Sequence, residues 1–400
     1  MFKGVRIVLV LVGIVGIAAS MQAQCPGYNP RSNTNLACEI ATASRSTAQD
    51  ATTLSSISAT LATQLSQLPI AAAASSPGIT IGASGLPTVS TEGLGTILTQ
   101  RGGTIGKHKL VVSFNFQRFV FQTIDGISLK SLPVVVNYNP TVNNVFLQDR
   151  SEISFRVDQF TALATFGLTS RVDVSVIVPF SRIDLATATY ATLHTITGGV
   201  SNSAVYDPLY LPGSATGIGD VRVNVKANVL GTEGKTSMAV GGEVRFPSGD
   251  AVNYLGSGAY GIKPYLVVSR RGRLTPSVNI GYQWNGSSVL NFGENLPASF
   301  LYSGGADFRV SKRLTLTGEF LGQYVINAPR LALTNITIPA VGARASVKSY
   351  IGSYNMDNAA VGFKANPFGG LIISASAMFK LDDAGLRAKI VPLFGVAYRF

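Results

Sequence analysis

Candidate catalytic residues are scarce in this sequence, which contains only two histidines, His108 and His194. A serine hydrolase needs a histidine that takes the proton of the nucleophile and is itself oriented by an acid. His108 begins a predicted strand, His194 lies among ordinary loop residues, and no nearby serine stands out. We therefore predict no catalytic residue, no enzyme activity and no cofactor.

The glycines of Gly217-Ile-Gly-Asp220 could be mistaken for a nucleotide-binding loop. A strand follows them rather than a helix, so no helix N-terminus is offered to a phosphate. We interpret them as a loop-to-strand transition that uses the conformational freedom of glycine. Asp220 and Asp250 then either brace adjoining loops or hold a cation, and bracing is favoured.

A larger set of charged residues recurs on strand-like segments, where it could line a pore and set its selectivity. The same set could instead form a salt-bridge network that fills a narrow barrel, and the sequence does not choose between the two. Its members, predicted to face the lumen, are Arg156, Asp158, Arg222, Lys226, Glu243, Arg245, Lys263, Asp307, Arg309, Glu319 and Lys364.

The elements that carry these charges are β-strands. From Asp220 to Val229 every second residue is apolar and those between are polar or charged, so one face of the strand is apolar and the other is polar. After the N-terminus no apolar run reaches the roughly 18 residues of a membrane helix, and charged residues make up only 13% of the chain. A membrane protein without spanning helices must be a closed barrel.

About twelve such strands follow residue 106, and short connections alternate with long ones. That alternation is typical of an outer-membrane barrel with short periplasmic turns and long outer loops. We predict an all-β, transmembrane antiparallel barrel over residues 106–400, with loops 123–150, 185–218 and 327–354 shaping its mouth. Loop 185–218, with Tyr206, Leu209, Tyr210 and Leu211, is predicted to fold inward as a constriction. The strands are expected at 107–122, 151–167, 171–184, 219–230, 235–247, 259–270, 273–285, 299–311, 313–326, 355–366, 370–381 and 386–400.

The chain ends on an alternating strand in which Tyr398 and Phe400 share one face. This ending resembles the signal by which the barrel-assembly machinery recognises a last strand. We expect that machinery and outer-membrane lipid to be partners of the chain. The net charge of +12 is spread singly along strands and turns, which argues against nucleic-acid binding.

The N-terminus predicts export. Residues 1–6 are basic, residues 7–19 are apolar, and small residues lead to Ala23, which is the pattern of a secretory signal peptide over residues 1–23. Cys25 and Cys38 follow without a nearby histidine, which disfavours a metal site. In an oxidising periplasm a disulfide between them is expected.

Residues 24–70 are predicted to be a periplasmic helical segment. Leucine and isoleucine recur every three or four positions over residues 45–68, which indicates a narrow apolar stripe on a short coiled coil or on a helix that rests on another surface. The stripe is also able to recruit a periplasmic partner or a second copy. Residues 71–105 are rich in Gly, Pro, Ser and Thr and are interpreted as a flexible linker.

Three segments resemble a known family. Arg171-Val-Asp-Val-Ser-Val-Ile-Val-Pro-Phe180, Thr216-Gly-Ile-Gly-Asp-Val-Arg-Val-Asn-Val-Lys226 and Phe246-Pro-Ser-Gly-Asp250, the last followed by Gly256-Ser-Gly258, are similar to motifs of the family named for the MetA pathway of phenol degradation. Ser248 stands where that family usually has threonine. The resemblance covers roughly residues 150–400 and implies an outer-membrane barrel associated with aromatic or other hydrophobic compounds.

The resulting hypothesis is a barrel in the outer membrane of a Gram-negative bacterium for passive uptake or passage of small molecules, including hydrophobic or aromatic compounds. The alternative is a structural barrel that anchors the N-terminal helix to the cell wall or to a protein partner.

Overall fold

Twelve long strands form the body of the protein in this computed structural model. The structure describes residues 94–136, 145–197, 199–231, 236–291, 293–338 and 341–400, with positions 36–37, 57, 59–65, 68–69, 80–81 and 87–88. The strands are β1 (Leu110–Ile124), β2 (Val145–Gly167), β3 (Val172–Thr197), β4 (Arg222–Leu230), β5 (Thr236–Arg245), β6 (Gly261–Arg270), β7 (Leu274–Asn285), β8 (Ser299–Arg309), β9 (Leu314–Ile338), β10 (Gly342–Ala365), β11 (Leu371–Lys380) and β12 (Ile390–Arg399).

The sheet closes on itself. Each strand pairs antiparallel with the next, and β12 returns to β1 through a register that runs from Leu393 opposite Gln117 to Arg399 opposite Val111. Closure leaves no unpaired edge, which is the requirement for a sheet in lipid. The predicted twelve-stranded transmembrane antiparallel barrel is confirmed.

The outer face carries the apolar side chains of the alternating pattern, as expected. Phe114, Val225, Val278, Val361 and Phe394 all point outward and are largely exposed on the isolated barrel. The band begins at the short turns and rises about ten residues, the length of a tilted strand that crosses a bilayer. Aromatic side chains rim both edges as interfacial girdles. They include Phe166, Phe308, Tyr398 and Phe400 at the turn end and Tyr260, Trp284, Phe300 and Tyr324 at the other.

The barrel wall is taller on one side than on the other, because some strands are longer. Strands β2, β3, β9 and β10 continue more than ten residues beyond the apolar band, so most of the predicted loops 185–218 and 327–354 is strand. Shorter strands add to this tall side at Ile127–Ser128, Leu132–Val136, Val200–Val205, Leu209–Ile218 and Leu386–Ala388. The two long hairpins, β2–β3 and β9–β10, meet at their ends far from the short turns through Phe146 and Ile338, both buried.

Strands β4 to β8 end at the top of the apolar band, and their connections turn into the barrel. Short 3-10 helices form at Ala251–Asn253 and Val289–Asn291, and they bring Tyr254 and Leu290 into the main buried cluster. The prediction that loop 185–218 forms the constriction is therefore wrong. Tyr206 and Tyr210 of that loop are exposed, because its backbone pairs with β3 and extends the wall instead of folding inward.

The N-terminal region contributes helical residues at 36–37, 57 and 59–65 and a two-stranded pairing of Thr80–Ile81 with Pro87–Thr88. Among the described residues, no helix is long and apolar enough to cross a membrane. The predicted signal peptide and the Cys25–Cys38 disulfide lie outside the described residues.

Candidate functional site

The lumen is occupied by the chain's own N-terminal residues. We call residues 94–105, which cross the barrel near its short turns, the lumen segment. The helical residues 57 and 59–65, which lie near the long hairpins, are the upper helix. Both pack against inward-facing side chains of the strands.

Glu319 on β9 provides the strongest contact to the lumen segment. Its carboxylate accepts hydrogen bonds from three successive backbone N–H groups, those of Ile97 at 2.8 Å, Leu98 at 2.8 Å and Thr99 at 2.6 Å. Hydrogen bonds to an ionised carboxylate are stronger than bonds between neutral groups. A buried negative charge is thereby satisfied by the backbone of the lumen segment.

Two further strands hold the same segment with charged side chains. Arg101 forms an ion pair with Asp307 of β8, with Nε 3.1 Å from Oδ2, and both side chains are almost fully buried. Lys364 of β10 donates to the carbonyl of Thr96 at 2.6 Å. Because both charges of the Arg101–Asp307 pair are out of water, loss of either removes the opposite charge with which the other is paired.

Strands β3 and β4 complete the contact. Lys226 donates to the carbonyl of Gly103 at 2.8 Å, and Asn228 donates to that of Gly102 at 2.7 Å. Asp173 accepts from the backbone of Ile105 at 3.1 Å. The prediction of a flexible linker is therefore wrong for residues 94–105, because the lumen side chains hold them in place. Glycine and small polar residues leave backbone groups accessible, and here lumen side chains bind those groups.

The upper helix is held differently. Ile57 and Leu61 are buried in the same cluster as Phe121 of β1 and Leu331 of β9. Gln64 donates to the Tyr354 hydroxyl at 2.8 Å. The described part of the apolar stripe thus packs inside the barrel on its long-hairpin side. The prediction of a periplasmic helix that exposes this stripe to a partner is wrong for these residues.

An inward loop, residues 246–260 between β5 and β6, closes the barrel above β4 and β5, and it is built on the motif residues. Asp220 accepts from the Gly249 backbone at 3.2 Å and from the Ser257 backbone at 2.8 Å. Gly249 and Gly256 pack backbone to backbone, since a Cβ on Gly249 would lie 2.7 Å from Gly256 Cα. Asp220 therefore braces the loop, which is the reading that the sequence favoured.

A cavity of about 220 Å³ remains between the lumen segment and the upper helix. One arc of its wall is polar and comes from β4 to β7. There Glu243 lies 2.9 Å from Lys263 Nζ and 3.4 Å from Arg222 Nη1. Tyr265 donates to Asn224 at 2.7 Å in the same arc.

The opposite arc of the cavity is mostly apolar, with Arg387 as a charged residue within it. It comes from β9, β11, β12 and β1 and includes Leu321, Met378, Val391, Phe119 and Phe121. The Phe119 and Phe121 rings are stacked at 5.9 Å with an interplanar angle of 12°. The space is therefore amphiphilic, with a charged side and an aromatic side.

Most of the predicted lumen charges do face inward. Arg222, Lys226, Glu243, Arg245, Asp307 and Glu319 are buried on the inner face, Lys364 contacts the lumen segment, and Lys263 lines the cavity. Arg309 is half-buried on the face of Asp307, two residues nearer the turn. Arg245 does not line the cavity; it binds Asn285 at 2.8 Å and lies 3.6 Å from Asp220 beneath the inward loop.

Arg156 and Asp158 were assigned to the lumen, and that assignment is wrong. Phe155 and Val157 of β2 point inward, so Arg156 and Asp158 point outward. Asp158 pairs with Arg118, and Arg156 with Asp184, at the upper edge of the apolar band. Arg156 and Arg118 keep 42% and 48% of their side chains exposed. Above the bilayer the polarity of the two faces is reversed, because the outside is aqueous and the upper helix fills the inside.

Two important residues, Arg101 and Tyr265, were not singled out from the sequence, and Asp173 was placed on a polar strand face but not in the set of lumen charges. Arg101 lies in a segment that composition assigned to a linker, and a lone arginine there carried no signal. Asp173 and Tyr265 fall on the polar faces of predicted strands, so the period of two could have included them.

Comparison with solved structures returns outer-membrane barrels of low sequence identity. The COG4313 outer membrane channel from Pseudomonas putida F1 is 10% identical, with a TM-score of 0.45 over 74% of this chain and 97% of that chain. The P. putida toluene transporter TodX is 9% identical, with a TM-score of 0.35 over 74% and 91%. The NanC porin is 9% identical, with a TM-score of 0.36 over 72% and 98%. No curated protein matches the chain.

The family comparison is more specific, because it rests on the sequence itself. Residues 141–325, which contain all three motif segments, match the family model described as "Putative MetA-pathway of phenol degradation". The match covers β3, the brace at Asp220 and the inward loop. The resemblance inferred from the motifs is confirmed over this range.

Proposed function

We propose that the protein is an outer-membrane channel for small molecules, which its own N-terminal residues close. The observation that carries this proposal is the amphiphilic cavity of about 220 Å³ between the lumen segment and the upper helix. A barrel that served only as an anchor would gain nothing from an internal space lined by ordered charges. A channel needs a space that its permeant can enter and leave.

The contacts of the lumen segment suit a closure that can be displaced. Apart from the packing of Ile97 and Leu98 in the main buried cluster, they are hydrogen bonds and ion pairs to side chains, and water can replace each of these polar contacts once the segment leaves. Barrels of twelve strands lie between the filled eight-stranded type and open porins, so displacement would leave an aqueous path. In the closed state the permeant would occupy the cavity above the segment.

The proposal is tested by single-channel conductance of the refolded full chain and of Glu319→Gln. The substitution removes the charge that accepts the Ile97, Leu98 and Thr99 N–H groups. Each hydrogen bond to a charged group contributes about 1.5–3 kcal/mol, so we expect the open fraction to rise at least about tenfold. Efflux of a small aromatic solute from liposomes should rise in parallel.

Glu152→Gln is the matched control, because Glu152 pairs with Arg150 on the outer face, where both are exposed. It should behave as the unmodified protein does. Closed barrels and unchanged efflux for both Glu319→Gln and Asp307→Ala would contradict the channel and favour the structural alternative.

A further inference from the structure

A row of charged side chains crosses the outer face of three neighbouring strands, away from the lumen. Arg118 of β1 lies opposite Asp158 of β2, and Asp158 lies opposite Arg182 of β3. In the next row towards the long hairpins, Arg156 of β2 lies opposite Asp184 of β3. Because neighbouring strands are about 4.8 Å apart, the row spans about 10 Å across the sheet. We call these five residues the outer charge cluster.

The carboxylates of the cluster bind the arginines along one edge of each guanidinium group. Asp158 accepts hydrogen bonds from Nε and Nη2 of Arg118 at 2.6 and 3.0 Å. Asp184 accepts from the same two atoms of Arg182, both at 3.3 Å, and it also pairs with Arg156. Within the described part of the chain, these bonds use only Nε and Nη2. The side chains of Arg118, Arg156 and Arg182 remain 48%, 42% and 58% exposed, so their Nη1 groups are accessible to a ligand outside the barrel.

An aromatic row lies directly below the cluster and faces the bilayer. Phe116 of β1 lies opposite Phe160 of β2, and Phe160 lies opposite Phe180 of β3. The centroids of the Phe116 and Phe160 rings are 4.8 Å apart, and both Phe160 and Phe180 are largely exposed on the isolated barrel. Arg118 lies over the Phe116 ring at 5.8 Å, which joins the two rows. A ligand that fits both rows has an apolar part within the bilayer and an anionic group at its surface.

The position of the cluster along the strands indicates which leaflet it meets. The cluster lies at the upper edge of the apolar band, far from the short turns, and short turns are periplasmic in outer-membrane barrels. The outer leaflet of a Gram-negative outer membrane is built from lipopolysaccharide, whose lipid A part is a phosphorylated disaccharide with acyl chains. Guanidinium groups bind phosphate oxygens with strong, directional hydrogen bonds. Lipid A therefore offers a phosphate to the arginines and acyl chains to the aromatic row.

We propose that the outer charge cluster and the aromatic row form a binding site for the lipid A part of lipopolysaccharide. A phosphate accepts hydrogen bonds from Arg118, Arg156 and Arg182, and acyl chains pack on Phe160 and Phe180. The two aspartates of the cluster hold the arginines in position. Because the site lies on the outer surface of the barrel, this inference does not depend on the channel.

Native mass spectrometry of the refolded full chain in detergent tests the inference with three probes. Diphosphoryl lipid A carries both the phosphates and the acyl chains, dephosphorylated lipid A keeps the acyl chains alone, and phosphatidylglycerol is an anionic lipid with a different headgroup. Diphosphoryl lipid A should bind at least about tenfold more tightly than either of the others, since one charge-assisted hydrogen bond supplies that factor. Equal binding of dephosphorylated lipid A or of phosphatidylglycerol overturns the inference.

The double variant Arg118→Gln/Arg182→Gln removes two of the guanidinium groups. Exposed ion pairs contribute little to stability, so the barrel stays folded. The affinity for diphosphoryl lipid A should fall at least about tenfold, while the weak binding of the dephosphorylated form stays the same.

Arg270→Gln is the matched control, because it removes an exposed arginine at the opposite edge of the barrel, where β6 meets a short turn. It should bind diphosphoryl lipid A as the unmodified chain does. Unchanged affinity in the double variant, or an equal loss of affinity in Arg270→Gln, also overturns the inference.

Discussion

The lumen segment and the upper helix occupy the same barrel, yet different kinds of interaction dominate in each. Residues 94–105 bind mainly through polar and charged side chains, Glu319, Asp307, Lys364 and Lys226, although Ile97 and Leu98 pack in the main buried cluster. Residues 57 and 59–65 bind mainly through buried aliphatic and aromatic side chains, with hydrogen bonds from Thr60 to the Pro329 carbonyl and from Gln64 to Tyr354. The difference follows from the wall, which is polar inside the bilayer and apolar above it.

This contrast teaches where a barrel can be opened. Polar contacts can be exchanged for water at modest net cost, because the same groups hydrogen-bond to solvent after release. Apolar packing has no such replacement, and its release exposes hydrophobic surface. We therefore expect the lumen segment to be the movable closure and the upper helix to be the fixed one.

The largest effect is expected from Asp307→Ala. It leaves the buried Arg101 guanidinium without its carboxylate, which costs about 3–5 kcal/mol for a broken buried pair. The lumen segment should be released while the upper helix stays bound, and trypsin should then cleave after Arg101. Limited proteolysis with mass spectrometry measures this directly.

Its control is Asp383→Ala, which removes an exposed ion pair with Lys380 and should change little, since exposed pairs contribute about 0–1 kcal/mol. If trypsin does not cleave after Arg101 in Asp307→Ala, the Arg101–Asp307 pair is not the main contact that holds the lumen segment.

A smaller effect, on the upper helix instead of the lumen segment, is expected from Leu61→Ala. Truncation of a buried leucine costs about 2–5 kcal/mol, so the upper helix should loosen. Hydrogen exchange of residues 57–65 should accelerate, while that of residues 94–105 stays slow. Leu333→Ala, at an exposed position of β9, serves as the control. Equal acceleration of hydrogen exchange in both regions would show that they open as one unit, which would contradict a movable lumen segment and a fixed upper helix.

The smallest effect is expected from Gln64→Met, which keeps the shape of the side chain and removes its bond to Tyr354. The buried tyrosine hydroxyl then lacks a partner, at a cost of about 1–3 kcal/mol. Exchange of the upper helix should rise modestly and proteolysis at Arg101 should not change. Gln122→Met, at an exposed position, provides the baseline. A release of the lumen segment by Gln64→Met would contradict the separation of the two regions.

The barrel could be predicted from sequence because a strand in lipid must alternate. Val225 and Lys226 illustrate this, one exposed to the bilayer and the other buried in the lumen. The same rule misplaced Arg156 and Asp158. It assumes that the charged face points inward, and that assumption fails above the bilayer, where Phe155 and Val157 face the upper helix.

The lumen segment could not be predicted, for a different reason. Its backbone atoms form the hydrogen bonds to Glu319 and Lys364, and backbone atoms are the same for every sequence. A composition rich in glycine and threonine is therefore equally compatible with a flexible linker and with a segment bound in the lumen. Only the arrangement of the twelve strands shows which lumen groups need those backbone partners.

The position of the lumen segment directly before β1 bears on the order of folding. Its partners lie far along the chain, with Thr96 and Lys364 separated by 268 positions. β1 also pairs with β12, the strand at the other end of the barrel sequence, to close the seam. Contacts between such distant positions form slowly because the intervening chain must first be ordered. We therefore expect sealing of the seam and filling of the lumen to be late steps of folding, since both join residues near the start of the barrel to residues near its end.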